Sequence, residues 1–174
     1  MVIEYEYRRR GTLAYLAGLN IGRRGKATRR PRIFGRCEPK SGKDSFGRLV
    51  KRVMSAEPYA SAKRVFWVVD NGSSHAGQAS IDRLEGHWRN LVLVHLPVHA
   101  SWLNQIEIYF SILQRKALTP NDFTDLAALE RRILGFQEHW QCVAEPFEWT
   151  FTRRDLDELM SRLEQRESRL HLAA

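Results

Sequence analysis

The stretch "RVFWVVD", residues 64–70, constrains this chain more than any other. It is an unbroken apolar run of strand length that stops at Asp70 and the turn pair Asn71-Gly72. Apolar residues without alternation predict a strand covered on both faces, as at the centre of an α/β sheet. A second such run, "NLVLVHLP", ends at Pro97, and "QASIDRLEGHW" between them has the pattern of a short helix. Strand, helix and strand in that order predict a βαβ unit, whose two strands must be parallel.

The flanking sequence fits around this unit. Upstream, "IEYEYRR" alternates apolar and charged residues, and "TLAYLAGLNI" is apolar. Residues 3–21 therefore predict a hairpin turning at Arg8–Gly11. Residues 22–42 are rich in Gly, Arg, Lys and Pro, with a short extended piece near Arg32–Cys37. Phe46, Leu49, Val50 and Val53 recur at helical spacing over 44–54. Downstream, "SWLNQIEIYFSILQRKAL", "DLAALERRILGFQEHWQ" and "TRRDLDELMSRLEQRESRL" all carry helical periodicity. The coarse class is α/β with a helical C-terminal third. No repeat or long linker divides the 174 residues, a length that suits one domain with a real core.

Composition narrows the function classes. Hydrophobic residues make up 43% and charged residues 28%, a globular balance and not a disordered one. No apolar run reaches the roughly 18 residues that span a bilayer, and no secretory leader pattern opens the sequence. A cytoplasmic protein with no membrane partner is expected. Cys37 and Cys142 lack metal-ligand or disulfide spacing and read as incidental thiols. The net charge of +8 is unevenly spread: residues 1–64 hold 17 Lys/Arg against 5 Asp/Glu, which leaves the remainder slightly acidic. Arg8, Arg9, Arg10, Arg23, Arg24, Arg29 and Arg30 form runs where loops are expected. Such runs make either a solvated basic surface or a contact for nucleic-acid phosphates.

Two carboxylates stand out against apolar surroundings. Asp70 ends its strand at the carboxyl edge of the sheet, where open α/β sheets bind ligands. Taken alone, it reads as a cap for the turn that follows. Glu107 shares a helix with Leu103, Ile106, Phe110 and Leu113, and that spacing predicts that it points inward with the stripe. A buried carboxylate must be paired, protonated or metal-bound. Arg115 and Lys116 lie two turns away, too far for an i,i+4 pair. Carboxylates from a strand end and a neighbouring helix are the donors a hard cation such as Mg²⁺ or Mn²⁺ takes, with phosphate completing the shell.

These residues fall into a recognisable pattern. "VVDNGSSH" followed by "LPVHASWLNQIEIYFSILQRK" resembles the second and third catalytic motifs of DDE-type transposases. The nearest resemblance is to the insertion-sequence six-thirty branch of the mariner superfamily. "EYEYRRRGTLAYLAGLN" and "EPFEWTFT" are similar to that family's hairpin and closing segments. The resemblance implies a ribonuclease H-like, integrase-type mixed sheet with flanking helices, and three carboxylates holding two Mg²⁺ or Mn²⁺ ions. It implies Asp70 as the second carboxylate and Glu107 as the third. Asn71 and His75 match positions beside the metal site, while Trp102 and Asn104 belong to the third motif. For these four, turn and helix-start chemistry stands as an equal alternative. The implied partner is DNA at transposon ends, which places the protein with the nucleoid.

The family's first catalytic aspartate lies on a strand ahead of "EYEYRRRG", and Asp44, in "GKDSFGRL", matches a different segment. The expectation is therefore an incomplete catalytic domain over 1–152, lacking its first central strand, with a C-terminal helix or tail over 153–174. Such a chain is expected to be poorly stable, or to relocate its hairpin, and to be inert alone, needing the missing portion or an intact transposase subunit. Two other readings are a non-catalytic basic DNA-binding or regulatory remnant that interferes with intact transposase, and a different ribonuclease H-like nuclease.

Overall fold

The computed structural model describes residues 11–21, 30–97, 103–147, 152–155, 157–158 and 161–162. Strand β1 (Ala14–Asn20) pairs antiparallel with β2 (Arg32–Glu38), in register from Ala14↔Glu38 to Asn20↔Arg32. Helix α1 (Lys43–Met54) follows, then β3 (Val65–Val69), α2 (Gln78–His87) and β4 (Leu91–His95). Strands β3 and β4 are parallel, with Val65↔Leu91 through Val69↔His95 in register, as the βαβ reading requires. Helices α3 (Ile106–Ala117) and α4 (Leu126–Val143) complete the core.

Helix α1 joins the two strand pairs. Its sequence places Asp44 in the first turn and Lys51 and Arg52 in the last, complementing the helix dipole. Phe46, Val50 and Met54 pack against Val69, Leu91 and Leu93 of the parallel pair. Leu49 and Val53 pack against Phe34 of β2. Trp67 and Leu16 belong to both clusters, and the Trp67 indole N–H points at the Met54 sulfur, 3.4 Å away. The other face of the β1–β2 pair is closed by α3 and α4 through Ile33, Ile106, Tyr109, Leu113, Ile133 and Trp140. Within that layer the Tyr15 hydroxyl donates to Gln137 Oε1 at 2.8 Å and lies 3.1 Å from the Tyr109 hydroxyl. Burial pushes both phenols above their ordinary range. Gly35 lies opposite; a Cβ there would overlap the Tyr15 hydroxyl and Gln137 Oε1.

Among the described residues β1 pairs with β2, across the basic segment; the expected pairing with residues 3–9 lies outside them. The described strands form two two-stranded sheets, which meet through side chains and share no described hydrogen-bond ladder. The class is mixed α/β. One expectation changes: among the described residues, β3 is covered on one face. Val65, Trp67 and Val69 face α1 and α2, while Phe66 is 63% exposed, Val68 49% and Val94 39%. A continuous apolar run shows that a strand tolerates cover on both faces; the second cover must come from another element, which local sequence does not specify.

No helix among the described residues is long and apolar enough to cross a membrane. The C-terminal stretch opens as a helix: Thr152 and Asp155 bond reciprocally in a capping box, the Thr152 N–H donating to Asp155 Oδ2 at 2.7 Å.

Candidate active site

The carboxyl edge of the parallel pair is tied together by backbone and side chain. The Leu96 N–H donates to the Val69 carbonyl at 2.9 Å, and Asn71 Nδ2 donates to the Leu96 carbonyl at 3.0 Å. Asn71 thus fixes the ends of β3 and β4 to one another, a positioning role that its place in "DNG" suits.

Asp70 begins the turn on this edge. Its Oδ1 accepts the Gly72 N–H at 3.2 Å, an Asx-type turn, so the capping role is realised. The same oxygen accepts from His75 Nε2 at 2.6 Å. A carboxylate only accepts, so Nε2 carries the proton, and Nδ1 faces the Ser74 hydroxyl at 2.9 Å. The imidazole stacks on Phe46, with ring centroids 4.7 Å apart. The His75 carbonyl accepts from His95 Nε2 at 2.9 Å, which anchors the turn to the last residue of β4. Oδ1 is thereby committed to the turn, while the Asp70 side chain remains 43% exposed to solvent. Gly72 makes this packing possible: a Cβ there would sit 3.1 Å from Asp70 Oδ1 and 3.2 Å from His75 Nε2.

Glu107 departs from its expected orientation. The buried stripe of α3 is Ile106, Tyr109, Leu113 and Ala117, with Phe110 half-buried, and Glu107 is exposed. Leu103 precedes the helix, which begins at Ile106, so the apolar stripe is phased from Ile106. Glu107, the next residue, is rotated about 100° from it. In the first turn of α3 its charge also complements the helix dipole. Asn104 supports this start: its side-chain oxygen lies 3.4 Å from the Ile106 N–H, and its carbonyl accepts the Glu107 N–H at 3.0 Å.

The site residues thus fall into two groups, Asp70, Asn71 and His75 on one element and Asn104 with Glu107 on another. No described hydrogen bond or ion pair joins them, and among the described residues no three His, Cys, Asp or Glu side chains are grouped to hold a metal. The exposed Glu107 and the part-exposed Asp70 are suitable oxygen donors for Mg²⁺ or Mn²⁺ but are not by themselves a complete cage. Ser74, His95 and Phe46 were not anticipated as parts of the Asp70 turn. Ser74 was legible from its place beside His75 in "NGSSH"; the other two arrive through tertiary packing. Of the seven arginines, Arg30 is described: it is exposed, and its Nη1 donates to the Cys142 carbonyl near the end of α4 at 2.7 Å. Arg8, Arg9, Arg10, Arg23, Arg24, Arg29 and Trp102 lie outside the described residues.

No curated protein and no solved structure matches the chain. A family model described as DDE superfamily endonuclease matches residues 4–130, a span that includes both strand pairs, Asp70 and Glu107. The match covers most of the sequence, and the chain belongs to the DDE superfamily endonuclease family.

Proposed function

We propose that this chain carries two of the three carboxylates of a transposase active site, Asp70 and Glu107, and that this site cuts and joins DNA phosphodiester bonds. The observation that carries the reading is the Asp70 turn at the carboxyl edge of β3, inside the family match. There His75 and Gly72 hold one carboxylate oxygen and leave the side chain open to solvent. Divalent metal bound there would activate the attacking oxygen and stabilise the leaving one. The protein's own contribution is orientation. His75 fixes the Asp70 rotamer, Asn71 pins the strand ends, and Asn104 sets the first turn of the Glu107 helix. The insertion-sequence six-thirty branch of the mariner superfamily is the subgroup proposed. In the ribonuclease H-like arrangement that the family implies, a further, aspartate-bearing strand would lie between the β1–β2 pair and β3. That strand, or an intact transposase subunit, is the partner proposed to complete the site.

The test is DNA nicking by the full chain with Mg²⁺ or Mn²⁺, alone and mixed with a peptide spanning the family's first aspartate strand. Nicking should need the peptide and the metal, and disappear in Asp70→Asn and Glu107→Gln. Nicking that survives either substitution overturns the reading. A second reading, a non-catalytic DNA-binding or regulatory protein, is favoured by the basic charge of residues 1–64. Salt-dependent DNA binding without nicking under any condition, indifferent to Asp70→Ala and Glu107→Ala, would select it.

A further inference from the structure

Away from the carboxylates, the C-terminal end of α3 and one side of α4 enclose an open groove of about 490 Å³. Lys116, Arg131, Arg132 and His139 line it, together with Ala117, Ala128, Gly135 and Phe136. All four basic side chains are exposed. Among the described residues, none of the four forms an ion pair, and the charged neighbour recorded for Arg131 is Asp125 at the start of α4. The three cations Lys116, Arg131 and Arg132 sit in the part of the chain that is acidic overall, so their grouping does not follow from composition.

We propose that this groove binds the phosphate backbone of duplex DNA at a place separate from the Asp70 and Glu107 region. Three cations lining one groove favour a polyanion over a single small anion: Arg131 and Arg132 are adjacent on α4, and Lys116 reaches the groove from the last turn of α3. Guanidinium groups grip phosphate oxygens through paired N–H donors. A Cβ built on Gly135 would meet nothing within 4 Å, so the groove is open at this lining position. Glu107 and Lys116 project on opposite flanks of the buried stripe of α3, nine residues apart. DNA held in the groove is therefore a different segment from DNA at the carboxylates. This inference rests on the DNA-acting reading above.

The experiment is binding of a labelled nonspecific 20-base-pair duplex to the full chain, by anisotropy, across a salt series. Wild type is compared with Arg131→Glu/Arg132→Glu, the milder Arg131→Gln/Arg132→Gln, and Asp70→Asn. The slope of log affinity against log salt should fall by about 2 in both double variants. Affinity near 100 mM salt should drop on the order of tenfold or more. Both sites are exposed, and unchanged far-ultraviolet circular dichroism confirms folding. Slope and affinity equal to wild type in the folded double variants overturn the groove, even if nicking depends on Asp70. A reduced slope together with nicking indifferent to Asp70 leaves the groove standing and removes the catalytic reading. If polyglutamate binding depends on the two arginines and DNA binding does not, the partner is an acidic protein and the proposal fails.

Discussion

The two strand pairs of this protein are built alike and finished differently. The β1–β2 pair is enclosed, with α1 on one face and α3 and α4 on the other. The β3–β4 pair is backed by α1 and α2 and leaves Phe66, Val68 and Val94 exposed on its other face. The enclosed half carries the buried tyrosine pair, and the half-open one carries Asp70. The proposed chemistry draws on both, since Glu107 lies on the outer side of α3 in the enclosed half. The carboxylate edge sits where packing is thinner and a further element has room to add.

Truncation experiments sharpen that contrast most. Trp140 is 6% exposed and packs against Tyr109, so Trp140→Ala should cost about 3–5 kcal/mol in denaturant unfolding. Phe66→Ala, which removes a side chain of similar apolar character from the open face, should cost less than about 1 kcal/mol. A loss above about 2 kcal/mol for Phe66→Ala would mean that the open face is covered in the folded protein. Gly35→Ala should be as damaging as Trp140→Ala, because its methyl group would collide with the Tyr15–Gln137 hydrogen bond.

Smaller effects are expected on the Asp70 side. Gly72→Ala should cost about 1 kcal/mol by crowding. Its clearer signature is loss of the slowly exchanging His75 Nε2 proton in NMR spectra, since the methyl would sit against Asp70 and His75. Retention of that proton would show that the turn adjusts without breaking the pair.

The smallest effect concerns acid. The Ala128 N–H, at 2.7 Å from its carboxylate, holds the pKa of Asp125 below the ordinary aspartate range. The Arg48 side chain does the same for the buried Glu38. A lowered folded-state value means a stabilisation that is fully present above the unfolded-state values near 4 and lost as pH falls through the folded ones. Unfolding midpoints should therefore decline below about pH 4, and the decline should be shallower in Asp125→Ala. An identical pH profile in the variant would remove the cap from the account.

Much of this architecture was legible from apolar spacing. The bounds of α1, β3, α2, β4 and α4 follow it closely, because each element's periodicity is local. What spacing does not encode is which element covers which face. The Arg32–Glu38 strand reads as a short extended piece because its neighbours are basic and Gly-rich, yet it supplies the partner of β1. Glu107 was misphased because Leu103 was counted into a helix that starts after Asn104; shifting the stripe to Ile106, Tyr109 and Leu113 turns the carboxylate outward. At Asp70 the turn and the functional reading compete for the same side chain in sequence. The structure assigns the turn to Oδ1, and the His75 and Gly72 hydrogen bonds leave the side chain 43% exposed.

The measurement closest to the central claim is Mn²⁺ binding by the full chain, read by paramagnetic broadening or calorimetry, in wild type, Asp70→Asn, Glu107→Gln and the double variant. Shared ligation predicts that each single change weakens binding and that the double change adds little beyond either one. Binding untouched by both substitutions, or losses that simply add, would mean that the two carboxylates do not serve one ion.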